Sequence, residues 1–317
     1  MSRPNLFHFA TSELSQDAFF CWLASCAAPT VLDKELQNAG LGFLNLLTSK
    51  AGIELPQQIE RIQIRRQLKN IDLVIEINES IAILIEDKAG TSEHSKQLER
   101  YLLSAREMYP TRQLAPVYIQ TYIQPSFENV KASGFSVVGR RDLIETLPRS
   151  ARDSILSQFS EHLLDIENQY EAFRFGKSWS FYAWQRYLEL ISENIPGCEW
   201  SYVPNASGGF LAAYWGWTPI GLGSLYLQIA QERLSVRILP HEDAVQAEIE
   251  SLYQQALEFS EWIVPKRLKP RKGRTQNLVN LEMDHRRFDL CGNILIDETV
   301  MDLVNYTEKL VRFAQSP

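Results

Sequence analysis

Two runs rich in Val, Ile and Leu stand on either side of a short polar turn in NIDLVIEINESIAILIEDK, residues 70–88. Near-continuous apolar runs of this length predict a β-hairpin buried on both faces. The alternating RIQIRRQL just before it predicts a third strand. Helical periodicity surrounds these strands. Thr11 or Ser12 is placed to cap a helix over residues 13–27, with Glu13 and Asp17 in its early turns. A second helix is expected over 33–50. A third, over 96–108, carries an apolar stripe of Leu98, Leu102 and Ala105 and is ended by Pro110.

APVYIQTYI and FSVV then read as strands, RRDLIETL as a short helix, and residues 151–173 as a long helix followed by the aromatic helix SWSFYAWQRYLELI. Beyond it, CEWSYVPNASGGFLAAYWGW and SLYLQIAQERLSVRIL read as strands of an antiparallel sheet, before helices over 244–263 and 297–313. This order predicts an α/β core: helix, three-strand antiparallel meander, helix, and further strands in a mixed sheet. An α+β C-terminal domain follows. The expected domains are 1–173 and 174–317, with no internal repeat.

Composition narrows the function classes. At 317 residues the chain is long enough for two domains, and 45% hydrophobic with 22% charged residues is ordinary for a globular protein. No apolar run approaches the ~20 residues of a membrane span. The N-terminal MSRPNLFHFATSELSQDAFF lacks a signal-peptide pattern. Cys21, Cys26, Cys198 and Cys291 show no C-x-x-C spacing, so neither a zinc ribbon nor a disulfide framework is expected, and the cytoplasm is the expected location. The net charge of −7 gives no global pull towards a polyanion. A polyanionic partner would have to be met by local basic patches or by metal ions.

The candidate chemistry lies at the open end of the hairpin. With the turn centred on Glu79, antiparallel partners have numbers summing to 158, which sets Asp72 opposite Glu86 with Cβ atoms ~5 Å apart. Lys88, two residues on, projects to the same face and Asp87 to the other. Carboxylates this close repel, and a divalent cation between them removes the conflict. A small, incomplete set of oxygen ligands suits Mg²⁺ or Mn²⁺ better than zinc. Lys88 would then stand beside the metal, placed to orient water or to stabilise phosphoryl charge. A salt-bridged hairpin end, with Lys88 neutralising one carboxylate, is the alternative reading of the same residues.

Asp72 followed by Glu86-Asp87-Lys88 at the end of the next strand resembles the signature of the PD-(D/E)XK nucleases, with Ile71 in place of the signature's proline. The element order around it is similar to the restriction-endonuclease-like core of that superfamily. IEDKAG followed by QLERY resembles the RecB-like branch, in which a Q-x-x-x-Y element follows the lysine; here this is Gln97 and Tyr101, on one helical face. ELSQDAFFCWL resembles the first helix of a group of uncharacterised bacterial PD-(D/E)XK proteins. The resemblance covers about residues 5–148.

It implies metal-dependent phosphodiester hydrolysis, DNA ahead of RNA. Asp72 and Glu86 would hold Mg²⁺, the backbone carbonyl of Asp87 would be a further ligand, and Glu13 would act directly or through water. Lys88 would position the nucleophilic water, with Gln97 and Tyr101 supporting the site. Bacterial or prophage defence or repair is a setting that accords with it. The rival expectation is a catalytically silent member serving as a nucleic-acid-binding or assembly module, and a homodimer or partner subunit accords with either.

The remaining polar features have two readings each. Glu13 in a first helical turn also favours the helix macrodipole. Arg65, Arg66 and Lys69 before the hairpin are candidate phosphate contacts, as is the basic run of Lys266, Arg267, Lys269, Arg271, Lys272 and Arg274. Solvated charge is the plain alternative for both. Arg140 and Arg141 follow a strand in the same way, and His94 lies on a polar connector. The aromatic helix is expected to fill a core rather than to stack bases. Gly208-Gly209 reads as a turn.

Overall fold

The computed structural model describes residues 4–90, 96–148, 152–206, 208–262, 266–267, 274–282 and 284–316. The chain divides into two compact units, Met1–Asn168 and Gln169–Pro317.

In the first unit, Ser12 caps helix α1 (Glu13–Cys26) by accepting from the Ser15 amide, and Asp33 caps α2 (Lys34–Lys50) in the same manner. The two helices pack tightly at Gly40, where a Cβ would come within 2.5 Å of the Ala27 nitrogen and 2.7 Å of the Leu23 carbonyl oxygen. Strands β1 (Ile62–Leu68), β2 (Ile71–Ile77) and β3 (Ile81–Lys88) form the expected antiparallel meander. Lys69 and Asn70 both adopt positive φ in the two-residue turn from β1 to β2, as a type I′ turn requires. After α3 (Gln97–Met108), β4 (Gln113–Gln120) joins β3 in parallel. α4 (Glu128–Ala132) then leads to β5 (Ser136–Gly139), parallel to β4. The strand order β1-β2-β3-β4-β5 gives the mixed sheet expected of a restriction-endonuclease-like core. Helices α5 (Arg140–Thr146) and α6 (Ser154–Glu171) follow, the latter crossing into the second unit.

The central strands are buried on both faces because side chains alternate across the sheet. Leu73, Ile75, Ile83, Ile85, Val117 and Ile119 pack with Phe20, Phe43 and Phe159 of α1, α2 and α6. Val74, Ala82, Leu84 and Tyr118 pack with Leu98, Tyr101 and Ala105 of α3.

One buried charge interrupts the sheet. Glu76 accepts from Arg65 Nε at 2.7 Å, Tyr109 OH at 2.9 Å and Arg112 at 2.6 Å. Burial pushes its pKa up, but these three donors outweigh burial and hold it below the usual range. Removing one member of a largely buried cluster strands the others. Glu76→Ala is therefore expected to destabilise the unit by about 2 kcal/mol, less than a fully enclosed pair would lose because Arg65 is half-exposed. Urea unfolding followed by circular dichroism checks this, and an unchanged midpoint would contradict it.

The second unit comprises α7 (Phe181–Asn194), β6 (Glu199–Val203), β7 (Phe210–Ile220), β8 (Gly223–Ala230), β9 (Arg233–Pro240), α8 (Gln246–Glu258), β10 (Lys266–Arg267), β11 (Gln276–Glu282) and α9 (Ile296–Gln315). Its described strands form an antiparallel sheet in the order β10-β11-β9-β8-β7-β6. The aromatic helix does fill a core, with Trp184 and Tyr187 buried. Arg286 lies 4.1 Å from the Trp179 ring centroid and 4.7 Å from that of Trp184. His285 bonds the Tyr187 hydroxyl at 2.8 Å, and burial depresses the His285 pKa to about 4.

Candidate active site

Every pair of the β2–β3 ladder has numbers summing to 158, from Ile77↔Ile81 to Leu73↔Ile85, as a turn centred on Glu79 requires. The ladder ends at Leu73↔Ile85, and continuing its register by one step sets Asp72 opposite Glu86. Asp72 Oδ2 accepts from the Asp87 amide at 3.1 Å, and its Oδ1 accepts from Gln67 at 3.1 Å. Glu86 is wholly buried. Its Oε1 lies 2.5 Å from Lys88 Nζ and accepts from Gln97 Nε2 at 3.0 Å. Gln97 also bonds the hydroxyl of Tyr101, one helical turn on. Lys88 Nζ further donates to the Asp87 carbonyl at 3.2 Å and lies 3.7 Å from Glu13 and 4.0 Å from Asp72. Glu13 in turn accepts from the Ala89 amide at 3.3 Å. The sheet end, the first turn of α1 and the first turns of α3 thus bring together Glu13, Asp72, Glu86, Lys88, Gln97 and Tyr101.

Asp87 projects to the other face, towards α1. It is fully buried, its Oδ1 accepting from Gln16 at 2.6 Å while Gln16 accepts from Thr121 at 3.1 Å. Asp17, also buried, lies four residues after Glu13 and so on the same face of α1. The role of Gln16, Asp17 and Thr121 in this surround was not evident from sequence. The i, i+4 spacing of Glu13 and Asp17 was the available signal for one of them.

The electrostatics follow from crowding and burial. Desolvation, then the Asp72 charge, raises Glu86 to a pKa of about 8. Desolvation, then Asp72, raises Asp17 to about 6. Asp87 is pushed well above its ordinary value by burial, against the hydrogen bond from Gln16. Burial disfavours the Lys88 ammonium, yet the hydrogen bond and charge of Glu86 more than compensate and raise its pKa, so it stays charged. A carboxyl whose pKa rises on folding stabilises the fold fully below its unfolded value, and that contribution is lost as pH climbs through the folded value. For Glu86 the window runs from about 4.5 to about 8. In metal-free buffer the melting temperature is therefore expected to fall by at least about 3 °C between pH 6.5 and 9. Glu86→Gln is expected to flatten that slope, and scanning calorimetry on both proteins checks it. An identical slope in the variant would contradict the assignment.

The donor set fits a hard divalent cation. On the face shared with Asp72 and Lys88, Glu86 Oε2 is buried with no hydrogen-bond partner among the described residues, and a buried carboxylate oxygen left in that state is unfavourable. Among the described residues no group of three or more His, Cys, Asp or Glu side chains is placed to hold a metal ion, which leaves the Asp72–Glu86 pair to be completed by backbone oxygen and water. An open, all-oxygen site of few protein ligands is what Mg²⁺, which retains several waters, accepts.

Beside the site, Lys69, Asn70, Gln97, Arg100, Tyr101 and Ser104 line a groove of about 500 Å³. Arg100, three residues after Gln97, joins Lys69 there. Arg66 sits near enough to bear on Asp17. Arg65 is engaged with Glu76 instead, among the residues lining a separate polar pocket with Arg61 and Arg112. Arg140 and Arg141 both bond Glu167, and Arg140 also donates to the Thr121 carbonyl. In the basic run, Lys266 and Arg267 form the short edge strand β10, and Arg274 is exposed. Lys269, Arg271 and Lys272, the side chains of Lys266 and Arg267, and His94 lie outside the described residues.

No helix among the described residues is long and apolar enough to cross a membrane. Neither the curated proteins nor the solved structures include a significant match to the chain. Residues 30–175, somewhat less than half of the chain, match the family model described as the PD-(D/E)XK nuclease superfamily. The matched segment contains Asp72, Glu86, Lys88, Gln97 and Tyr101 but begins after α1, and it supports placing this part of the chain with the PD-(D/E)XK nucleases.

Proposed function

We propose that the chain is a divalent-metal-dependent nuclease that hydrolyses phosphodiester bonds of DNA, with a RecB-like arrangement of its site. The observation that carries this reading is the convergence of Lys88 and Gln97 on one oxygen of a fully buried Glu86 beside Asp72, inside the segment similar to PD-(D/E)XK nucleases. Asp72, Glu86 and the Asp87 carbonyl would hold Mg²⁺ or Mn²⁺, with Glu13 as a further carboxylate. When bound, such a cation neutralises charge on the phosphate and acidifies water.

The protein's own groups do the positioning. Gln97 fixes the Glu86 carboxylate from the α3 side and is itself held by Tyr101. Lys88 keeps its proton and offers a donor at the open end of the strands, where it can orient a water or meet a phosphoryl oxygen. Lys69 and Arg100 supply positive charge along the adjoining groove for a polyanion that the acidic chain as a whole does not attract.

DNA is chosen over RNA on family likeness alone. Incubating the purified chain and Mg²⁺ with DNA and RNA of equal length and sequence tests that choice. Cleavage of DNA is expected; cleavage confined to RNA would overturn the substrate, and cleavage of neither would overturn the nuclease reading.

A further inference from the structure

Strand β1 is an edge of the first unit's sheet, and its two faces differ in kind. Ile62 and Ile64 pack against the core beneath α1 and α2. The alternate positions, from just ahead of the strand to just after it, read Arg61, Gln63, Arg65, Gln67 and Lys69. They carry three cations, two amides and no acid. Gln63 pairs with Glu76 and Arg65 with Val74. Val74 packs with α3 and Glu76 bonds Tyr109 at its end, so the row lies on the α3 side of the sheet.

The row runs past the candidate centre. Gln67 stands level with Asp72 and donates to it at 3.1 Å. Lys69, beyond that point, lines the groove of about 500 Å³ with Arg100. In the other direction Arg61 and Arg65 join Arg112 around a second cavity, of about 180 Å³. Glu76 takes one nitrogen from each of Arg65 and Arg112; a guanidinium has five N–H donors, so both keep others for the cavity they line. The two cavities together are lined by five cations and two carboxylates, Glu76 and Glu79, in a chain of net charge −7. Charge on an edge strand also deters pairing with other chains, but carboxylates serve that end as well and the row has none. Nor does deterrence account for Arg100 and Arg112, which come from α3 and the segment after it to stand beside the same row.

We infer that this row is a phosphate track. The DNA backbone runs along β1 with the scissile phosphate at Asp72 and Glu86, held by Lys69 and Arg100 on one side and by the cavity of Arg61, Arg65 and Arg112 on the other. From Gln67 to Arg61 is about 20 Å of strand, the rise of about six base pairs, so substrate is gripped well away from the bond that is cut. Donors aimed at phosphates fix register without reading bases, and the track accordingly serves any sequence. The inference rests on the nuclease reading for its ligand and adds the path of the backbone and the far cavity.

Fluorescence polarisation of the full chain in EDTA tests it without cleavage, using a labelled twenty-nucleotide DNA strand alone and annealed to its complement. On whichever form binds more tightly, Arg61→Gln and Lys69→Gln, at the two ends of the row, are each expected to weaken binding about fivefold at about 0.1 M salt. Each is also expected to lower the slope of log affinity against log salt by about one. Arg106→Gln removes an exposed cation two and a half turns from Gln97, on the opposite face of α3, and is expected to change neither. Thermal melts establish that the variants fold. Binding of neither DNA form would overturn the inference, as would unchanged affinity and slope in folded Arg61→Gln or Lys69→Gln. An equal loss in Arg106→Gln would overturn it too, since the effect would then be one of general charge. Binding that depends on Arg61 and Lys69, in a protein that cleaves nothing with Mg²⁺, upholds this inference while sinking the nuclease reading. Cleavage with binding indifferent to both residues does the reverse.

Discussion

Lys88→Ala is expected to slow metal-dependent DNA cleavage by about 10²–10³-fold, the usual loss when one preorganised donor at a reacting centre is removed. The ammonium lies 2.5 Å from Glu86 and 3.2 Å from the Asp87 carbonyl, and among the described residues no second lysine or arginine bonds Glu86. With Lys88 gone, Gln97 is the remaining side-chain donor to Glu86 among the described residues, and the carboxyl is already inclined to take a proton. Lys88→Arg is expected to fail as a rescue, because a planar guanidinium cannot reproduce a compact ammonium in a space this enclosed. Single-turnover cleavage of a labelled duplex measures the effect. A Lys88→Ala rate equal to that of the unaltered protein would remove the lysine from the chemistry.

The second large effect is thermal. A cation bound only by the folded protein stabilises it by about 2.7 kcal/mol at a hundred times its dissociation constant, which corresponds to roughly 5–10 °C for a unit of this size. Mg²⁺ or Mn²⁺ is therefore expected to raise the melting temperature at pH 8, where the uncompensated carboxylates are least comfortable. Asp72→Ala and Glu86→Ala are each expected to abolish that rise. Glu86→Gln is also expected to melt higher than the unaltered protein in metal-free buffer at that pH, since it removes a charge from a fully buried position while keeping an acceptor for Lys88 and Gln97. Scanning fluorimetry with and without metal reads all of these. A metal response that survives in Glu86→Ala would mean that the cation binds elsewhere.

Much of this arrangement is written locally in the chain. The β2–β3 register follows from one turn and from apolar runs that only one alignment buries, so the facing of Asp72 and Glu86 and the opposite facing of Asp87 are legible from residues 70–88. The Gln97–Tyr101 pair follows from helical spacing in the same way. What is not legible depends on how separate elements meet. Asp17 looks like an early-turn helix acid, and only the docking of α1 on the sheet end buries it near Asp72. Arg65 looks like a free strand cation, whereas its partner network draws on Tyr109 and Arg112, more than forty residues away. α4 is five residues long, too short for a periodic signal.

The central claim is that Asp72 and Glu86 form a cation site for phosphodiester hydrolysis. Supercoiled plasmid incubated with the purified chain in Mg²⁺, in Mn²⁺ and in EDTA, beside Asp72→Ala and Glu86→Ala, tests it most directly. The expected result is nicking or linearisation by the unaltered protein with metal, none in EDTA, and none by either variant. Cleavage that persists in EDTA or in both variants would contradict the claim, as would intact plasmid under every condition.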